Sequence, residues 1–234
     1  GFQALTAITT GDSNVAVGAY SSDSITEGNN NVTLGVYAGQ AITTQDAMTF
    51  VGHQAGFSAN NDNSDGMVAI GFQAGYAATI NQQYSTFVGK QAGHGVLDSQ
   101  KSTMIGYYTG AQLGSDQADN NTFIGTSAGA SGSYTANDNT ANNNVGIGTS
   151  ALGGQAGAGS AYNFTASYNV AIGNDALKVA TTGGYNNAVG AQALDALTTG
   201  AENQAMGVGA LGVLTTQNTN VAIGGYAGSS IAGS

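Results

Sequence analysis

Few residues in this 234-residue chain have side chains suited to acid–base or nucleophilic chemistry. The chain has 13 acidic residues, three lysines, two histidines, no arginine and no cysteine. His53 and His94 have no serine or acidic partner at a recurring offset, which a catalytic dyad would require. Sugar cleavage needs paired carboxylates or a strong base with cationic support, and without arginine we do not expect it here. We therefore predict that the chain is not an enzyme and uses no cofactor.

One stretch imitates a cofactor-binding loop. Gly207–Gly212 has the glycine spacing of a dinucleotide-binding fingerprint. Its glycines are also the local copy of a pattern that runs through the whole chain. No helical pattern follows, and no acidic residue stands about 20 residues further on, where such a fingerprint places one. We do not expect a nucleotide site.

A second stretch imitates the start of a calcium-binding loop. Residues 60–66 alternate oxygen-bearing side chains before a glycine, and Asp62, Asn63 and Asp65 would be the metal ligands. The distal glutamate of such a loop is missing. We interpret the stretch as an Asn/Asp-rich turn and keep a calcium site as the alternative.

The charge of the chain limits its partners. The net charge is −10, so we expect neither nucleic acid nor an anionic membrane surface to bind. No apolar run approaches the ~20 residues that a membrane-spanning helix needs, so we expect no membrane insertion. Without cysteine there are neither disulfides nor thiolate metal sites.

A repeated phrase, an apolar strand followed by glycine, organises the whole sequence. Such a fixed period predicts a solenoid, in which each coil stacks on its neighbours. We expect residues 1–234 to form one domain of about 13 coils with about 17 residues each, as a fragment of a longer fibre, because Gly1 already belongs to a repeat. The motif glycines are Gly1, Gly18, Gly35, Gly52, Gly71, Gly89, Gly106, Gly125, Gly148, Gly173, Gly190, Gly207 and Gly224.

Each coil repeats the same apolar pattern around its motif glycine. The residues one and three before the glycine, such as Val17 and Val15, are apolar or β-branched and share one face of a short strand. The residue between them is alanine in many coils but Phe50, Phe87 or Phe123 in the middle of the chain, so we expect this second face to be covered. Four residues after the glycine, either Gly or Leu suggests a corner followed by a second short strand.

The thin core predicts association between chains. Ordering the backbone of a 17-residue coil costs more free energy than burial of three or four apolar side chains returns. The thin core and the covered second face both favour lateral packing of several chains. We expect a homotrimeric rod about 60 Å long, from a strand spacing of ~4.8 Å.

The motif itself resembles two families of fibrous proteins. The phrases at Asn14–Gly18, Asn121–Gly125, Asn169–Gly173 and Asn220–Gly224 resemble the head repeats of trimeric autotransporter adhesins and the repeat arrays of bacteriophage tail fibres. The resemblance implies a left-handed parallel β-roll in an intertwined trimer, located outside the cell or on the virion surface. It also implies a structural fibre segment that supports host attachment, or alternatively the head of a bacterial adhesin.

Two coils are longer than the others and could carry a receptor site. The coils at 126–148 and 149–173 add six and eight residues to the period, and insertions in solenoids emerge as loops on one face. Their aromatic residues lie among Ser, Asn, Gly and Ala, a mixture suited to stacking on sugar rings. A cell-surface glycan or protein receptor is therefore a candidate partner. The alternative is that the insertions are lengthened turns whose aromatic residues cover the adjacent coil. The candidate contacts are Tyr134, Tyr162, Phe164 and Tyr168.

Pairs of threonines offer a function of another class. They recur nine and eight residues before the motif glycine, for example at Thr9–Thr10 and Thr198–Thr199. Threonines aligned in rows from coil to coil on a flat solenoid face can bind ice. These pairs lie at a predicted bend and are missing from the middle coils, so we favour turn formation and keep ice binding as the alternative.

Overall fold

The chain forms one long parallel β-sheet. The computed structural model describes residues 1–60, 64–78, 82–113, 118–130, 141–153 and 164–230, and no helix occurs among these residues. The predicted all-β solenoid is therefore confirmed. Its twelve strands are β1 (Val15–Val17), β2 (Val32–Leu34), β3 (Thr49–Val51), β4 (Val68–Ile70), β5 (Thr86–Val88), β6 (Thr103–Ile105), β7 (Thr122–Ile124), β8 (Val145–Ile147), β9 (Val170–Ile172), β10 (Asn187–Val189), β11 (Gln204–Met206) and β12 (Val221–Ile223).

Each strand pairs in register with the next strand along the chain. Val15 faces Val32, and this register persists through the longer coils, where Val145 faces Thr122 on one side and Val170 on the other. The extra residues of those coils therefore do not disturb the sheet. Twelve strands at a spacing of about 4.8 Å give a sheet about 50 Å long.

The two faces of each strand have opposite environments. The central residue of the strand points into the coil, and Phe50, Phe87 and Phe123 are completely buried. The cover predicted for this face comes from the same chain, so this face gives no reason for chains to associate. The outward face instead carries the first and last residue of each strand, and Ile105 and Ile124 are 38% and 36% exposed.

Large and small residues complement each other inside the coils. The residue four after the motif glycine also points inward, and it is glycine where the strand carries a large side chain. In the four coils of β8 to β11 the arrangement is inverted, as with Ala188 in the strand and Leu194 buried after it. The second strand predicted here is absent from the described residues. The backbone instead turns through a left-handed conformation, with φ of 63° at Gly93 and 53° at Leu194.

A buried ladder of asparagines links the coils. Each ladder residue directly precedes a strand, and the Oδ1 of each except the last accepts a hydrogen bond from the backbone N–H of the asparagine one coil further on. Asn186, for example, accepts from Asn203 N at 2.9 Å and donates through Nδ2 to Gly200 O at 2.9 Å. These asparagines therefore satisfy buried backbone groups. The C-terminal ladder comprises Asn121, Asn144, Asn169, Asn186, Asn203 and Asn220.

Replacing one ladder residue should weaken the solenoid. Asn186→Leu keeps the number and branching of the side-chain heavy atoms but leaves Gly200 O and Asn203 N buried without their partner. We expect a loss of about 3 kcal/mol in the free energy of unfolding, since each orphaned group costs about 1–3 kcal/mol. Denaturant unfolding measures this loss. Asn174→Leu, at an exposed asparagine, is the matched control, and an equal effect of both variants would contradict the role of the ladder.

Candidate functional site

The calcium candidates lie only partly within the described residues. Asp62 and Asn63 are outside them. The carboxylate of Asp65 accepts a hydrogen bond from the backbone N–H of Asp46 at 2.9 Å. The same contact recurs one coil earlier, where Asp46 accepts from Asn29 N at 2.6 Å. Asp65 thus has a structural role as an acceptor between coils, and calcium binding stays an untested alternative. Within the described part of the chain, no cluster of three His or acidic residues could hold a metal ion.

The threonine pairs are used within the fold. The hydroxyl of Thr9 donates to Thr26 O at 2.9 Å, and that of Thr198 donates to Thr215 O at 2.9 Å. Each of these threonines thus satisfies a carbonyl of the next coil at a bend. This geometry supports the interpretation as turns, and ice binding by these threonines stays an untested alternative.

The aromatic candidates of the long coils have separate positions. Tyr134 and Tyr162 lie outside the described residues. Phe164 packs in the core with 3% of its surface exposed, so its ring is not available to a ligand. Tyr168 is half-exposed and lies two residues before strand β9. Of these candidates, Tyr168 is the described residue that presents its ring to solvent.

Tyr168 belongs to an exposed aromatic pair with Tyr185. The two tyrosines each lie five residues before a motif glycine in successive coils. Their ring centroids are 5.0 Å apart and the ring planes differ by 4°, which is a parallel stack. Because the coil of Tyr185 lies between those of Tyr168 and Glu202, one ring face of Tyr185 is covered by Tyr168 and the other is directed towards the coil of Glu202.

An open cleft lies beside this pair. Its volume is about 410 Å³, and its lining residues are Tyr168, Tyr185, Asn187, Glu202 and Gln204. Asn187 Nδ2 donates to Gln204 Oε1 at 2.6 Å, which orients both amides. The Asn187 carbonyl oxygen and the Gln204 amide nitrogen are left to contact a ligand. The cleft thus combines an aromatic surface with one acceptor, one donor and a carboxylate.

Two other aromatic columns of the solenoid are less accessible, whereas the stack of His53 on Phe72, with centroids 5.5 Å apart, is exposed. Tyr20 stacks on Tyr37 with centroids 5.0 Å apart, and both rings are half-buried. Phe57 and Tyr76 are likewise half-buried and stack at 5.1 Å, five residues after their motif glycines. These rings cover the coils of their own chain. The Tyr168–Tyr185 stack differs because 50% and 59% of the two side chains' surfaces are exposed.

His94 and Asp195 have shifted pKa values, and both lie five residues after a motif glycine. Burial lowers the pKa of His94, which stacks on Tyr76. Burial also raises the pKa of Asp195, and repulsion from the Asp175 carboxylate adds to this effect. His53, by contrast, is exposed. These shifts follow from packing along the coils, and the two groups do not line the cleft.

The outward strand face forms a continuous apolar column, which we call the outer column. It consists of the last residue of each strand, all apolar and none buried, from Val17 to Ile223. The first residue of each strand is Val or Thr in most coils but becomes Asn187 and Gln204 in β10 and β11. The outer column is therefore apolar along the whole sheet, and its border lacks a β-branched residue only beside the cleft.

Sequence reasoning missed four of the five cleft residues. Alignment of the coils would have placed Tyr185 and Glu202 next to Tyr168, since all three lie five residues before a motif glycine. Asn187 and Gln204 would have appeared as two polar interruptions in a β-branched position.

No described helix has the length and apolar character needed to cross a membrane. Comparison of the chain with models of protein families, with curated proteins and with solved structures found no match. The fold and the surface of the molecule are therefore the basis for a proposal about its function.

Proposed function

We propose that the chain is a non-enzymatic segment of a trimeric surface fibre, such as a bacteriophage tail fibre, which spaces or presents a host-attachment element. This proposal places the protein outside the cell or on the virion surface. The observation that carries it is the outer column, which stays apolar and unburied over all twelve strands. A rod with such a column favours contact with parallel copies of itself.

The size of the apolar surface supports association. The outer column and its flanking residues cover a strip about 50 Å long and about 15 Å wide, from a spacing of ~4.8 Å between strands and ~3.3 Å between residues. This strip approaches the ~800 Å² that each partner contributes to a standard interface.

The position of the strip favours a cyclic arrangement. The chain bends at each motif glycine, and in several coils exposed apolar residues lie on both sides of this bend, as Ile70 and Phe72 do around Gly71. An apolar corner faces two neighbours, one on each side, as in a closed ring of subunits. A homotrimer is the smallest such ring.

Charged residues in the outer column should separate the trimer. Ile105→Lys combined with Ile124→Lys places two cations in the middle of the column, where both side chains already reach solvent. We expect the unchanged chain to have the mass of three 23.0 kDa copies by light scattering, and the double variant to have the mass of one.

Val213→Lys is the matched control, because Val213 is equally apolar and 48% exposed but lies outside the outer column. A monomeric unchanged chain, or a double variant that keeps the trimer mass, would refute the proposal. A monomer with thermal hysteresis would favour ice binding instead, and the outward threonines Thr86, Thr103 and Thr122 on adjacent strands would be its candidates.

A further inference from the structure

We propose that the cleft beside the Tyr168–Tyr185 stack binds a neutral saccharide. Its pyranose ring would lie on the uncovered ring face of Tyr185, at the level of the coil that contains Glu202. The inference does not depend on the trimer, because all five lining residues belong to one chain. It assigns a ligand class to a surface that includes Tyr168 and four residues without a role in the core.

The aromatic part of the site fits the apolar face of a sugar. The stack offers one uncovered ring face at Tyr185, and the next coil has no aromatic side chain at this position but the exposed Glu202. The coil spacing of about 4.8 Å sets the height at which a further ring would lie, and this height suits van der Waals contact with a ring. A pyranose presents axial C–H groups on one face, and these groups favour the electron-rich face of an aromatic ring.

The polar part of the site fits hydroxyl groups. Asn187 Oδ1, Gln204 Nε2 and the Glu202 carboxylate form no hydrogen bond within the described chain. Hydroxyls at the edge of a saccharide can both donate to the acceptors and accept from the amide nitrogen. The hydrogen bond between Asn187 and Gln204 holds both amides in place, which lowers the entropy cost of binding.

The charge of the site selects against anionic ligands. Glu202 lies in the cleft of a chain with a net charge of −10 and no arginine. Nucleotides, sialylated glycans and uronic acids would meet repulsion there without a cationic partner. A neutral hexose or N-acetylhexosamine avoids this repulsion. The volume of about 410 Å³ lies within the range of ~300–1,000 Å³ that is usual for small-ligand sites.

The cleft also stays outside the proposed contact between chains. Asn187 and Gln204 interrupt the β-branched residues that border the outer column in most other strands. Two polar side chains at this border would be costly inside an apolar interface. Beside β10 and β11, we therefore expect the outer column alone to contact a neighbouring chain, with the cleft open at its edge.

A binding experiment with matched tyrosine variants tests the proposal. The probes are neutral oligosaccharides of glucose, galactose and N-acetylglucosamine, together with a sialylated galactose oligosaccharide. Ligand-observed NMR and tyrosine fluorescence report binding to the full chain, which contains no tryptophan. We expect at least one neutral probe to bind, and Tyr185→Ala to raise its Kd about tenfold, since the substitution removes the ring on which the sugar stacks.

Tyr84→Ala is the matched control. Tyr84 occupies the same coil position as Tyr185 and is 64% exposed, but the neighbouring coils place Gly66 and Lys101 there, so it has no stacking partner in its column. We expect Tyr84→Ala to bind the neutral probe with the same Kd as the unchanged chain. Glu202→Gln should allow the sialylated probe to bind, because the repulsive carboxylate is gone.

Three results would overturn the inference: no neutral probe binds, Tyr185→Ala binds like the unchanged chain, or Tyr84→Ala weakens binding as much as Tyr185→Ala does. If Tyr185→Ala failed to fold, Glu202→Lys would decide, since a long cation on the exposed floor of the cleft must block the sugar. Light scattering on the same samples reports the mass independently. A monomer that binds sugar would refute only the fibre proposal, and a trimer that binds none would refute only the saccharide site.

Discussion

Substitution of a single motif glycine by alanine should unfold the coils around it. In Gly173→Ala we expect the free energy of unfolding to fall by about 4 kcal/mol or more, because two independent penalties coincide. Gly173 has a φ of 140°, which L-residues rarely adopt, and such backbone strain costs about 1–3 kcal/mol. A Cβ at this residue would also lie 2.5 Å from the carbonyl oxygen of Gly190 in the next coil.

The second penalty cannot be relieved by a change of rotamer. The carbonyl of Gly190 is backbone, and Gly190 N is itself fixed by a hydrogen bond to Ile172 O at 2.8 Å. Relief therefore requires the two coils to separate, which weakens the ladder of β9 and β10. Because each coil of a solenoid contacts only its neighbours, we expect local loss of structure before global unfolding.

Thermal unfolding and amide hydrogen exchange measure this effect. Gly225→Ala is the matched control. Gly225 directly follows the motif glycine Gly224, has an ordinary φ, and would have no atom within 4 Å of an added Cβ. We expect its stability to stay within about 0.5 kcal/mol of the unchanged chain. Equal stability of the two variants would show that the coils stack less closely than the structure indicates.

Exchange of large and small residues inside one coil should reveal a strong coupling. Phe87 is fully buried, and a Cβ added at Gly93 would lie 2.6 Å from its Cδ1. Phe87→Ala alone should cost about 3–5 kcal/mol through the cavity that it leaves. Gly93→Leu alone should cost about 3 kcal/mol through steric overlap with the ring.

The double variant should be more stable than the sum of these losses predicts. Phe87→Ala with Gly93→Leu reproduces the native arrangement of Ala188 and Leu194, where leucine adopts the same left-handed backbone. We expect a coupling free energy of about 2–3 kcal/mol, measured by denaturant unfolding of all four proteins in a double-mutant cycle.

The reverse exchange in the C-terminal half, Ala188→Phe with Leu194→Gly, is the matched control for this coupling. It should also be more stable than the sum of its two single variants predicts. Additive losses in both cycles would mean that the two inward positions do not share one volume.

The sequence determined the elements and their order. The period of the motif glycines and the spacing of two between outward apolar residues are local signals, and stacking of equal coils is the simplest way to bury them. All twelve strands accordingly end at the residue before a motif glycine. A solenoid with long regular repeats is thus predictable because each coil interacts only with its neighbours.

Only the tertiary structure decided which strand face is inside. A pattern with a period of two is the same whichever face is buried, and here both faces carry apolar residues, such as Phe87 and Val88. When the coil closes, it buries the face whose side chains differ in volume from coil to coil. Glycine or leucine four residues after the motif glycine compensates for these differences in volume. The outer column of Val, Ile, Leu and Met, which recurs in every coil, was thereby left outside.

The cleft likewise depends on the assembled coils. Tyr168, Tyr185 and Glu202 are 17 residues apart in succession, and only parallel register brings their side chains into one column. The asparagine ladder has the same origin, because a side chain that looks suited to a turn becomes a buried partner when the next coil supplies its N–H. Local chemistry specified the coil, and stacking decided which of its surfaces could meet another molecule.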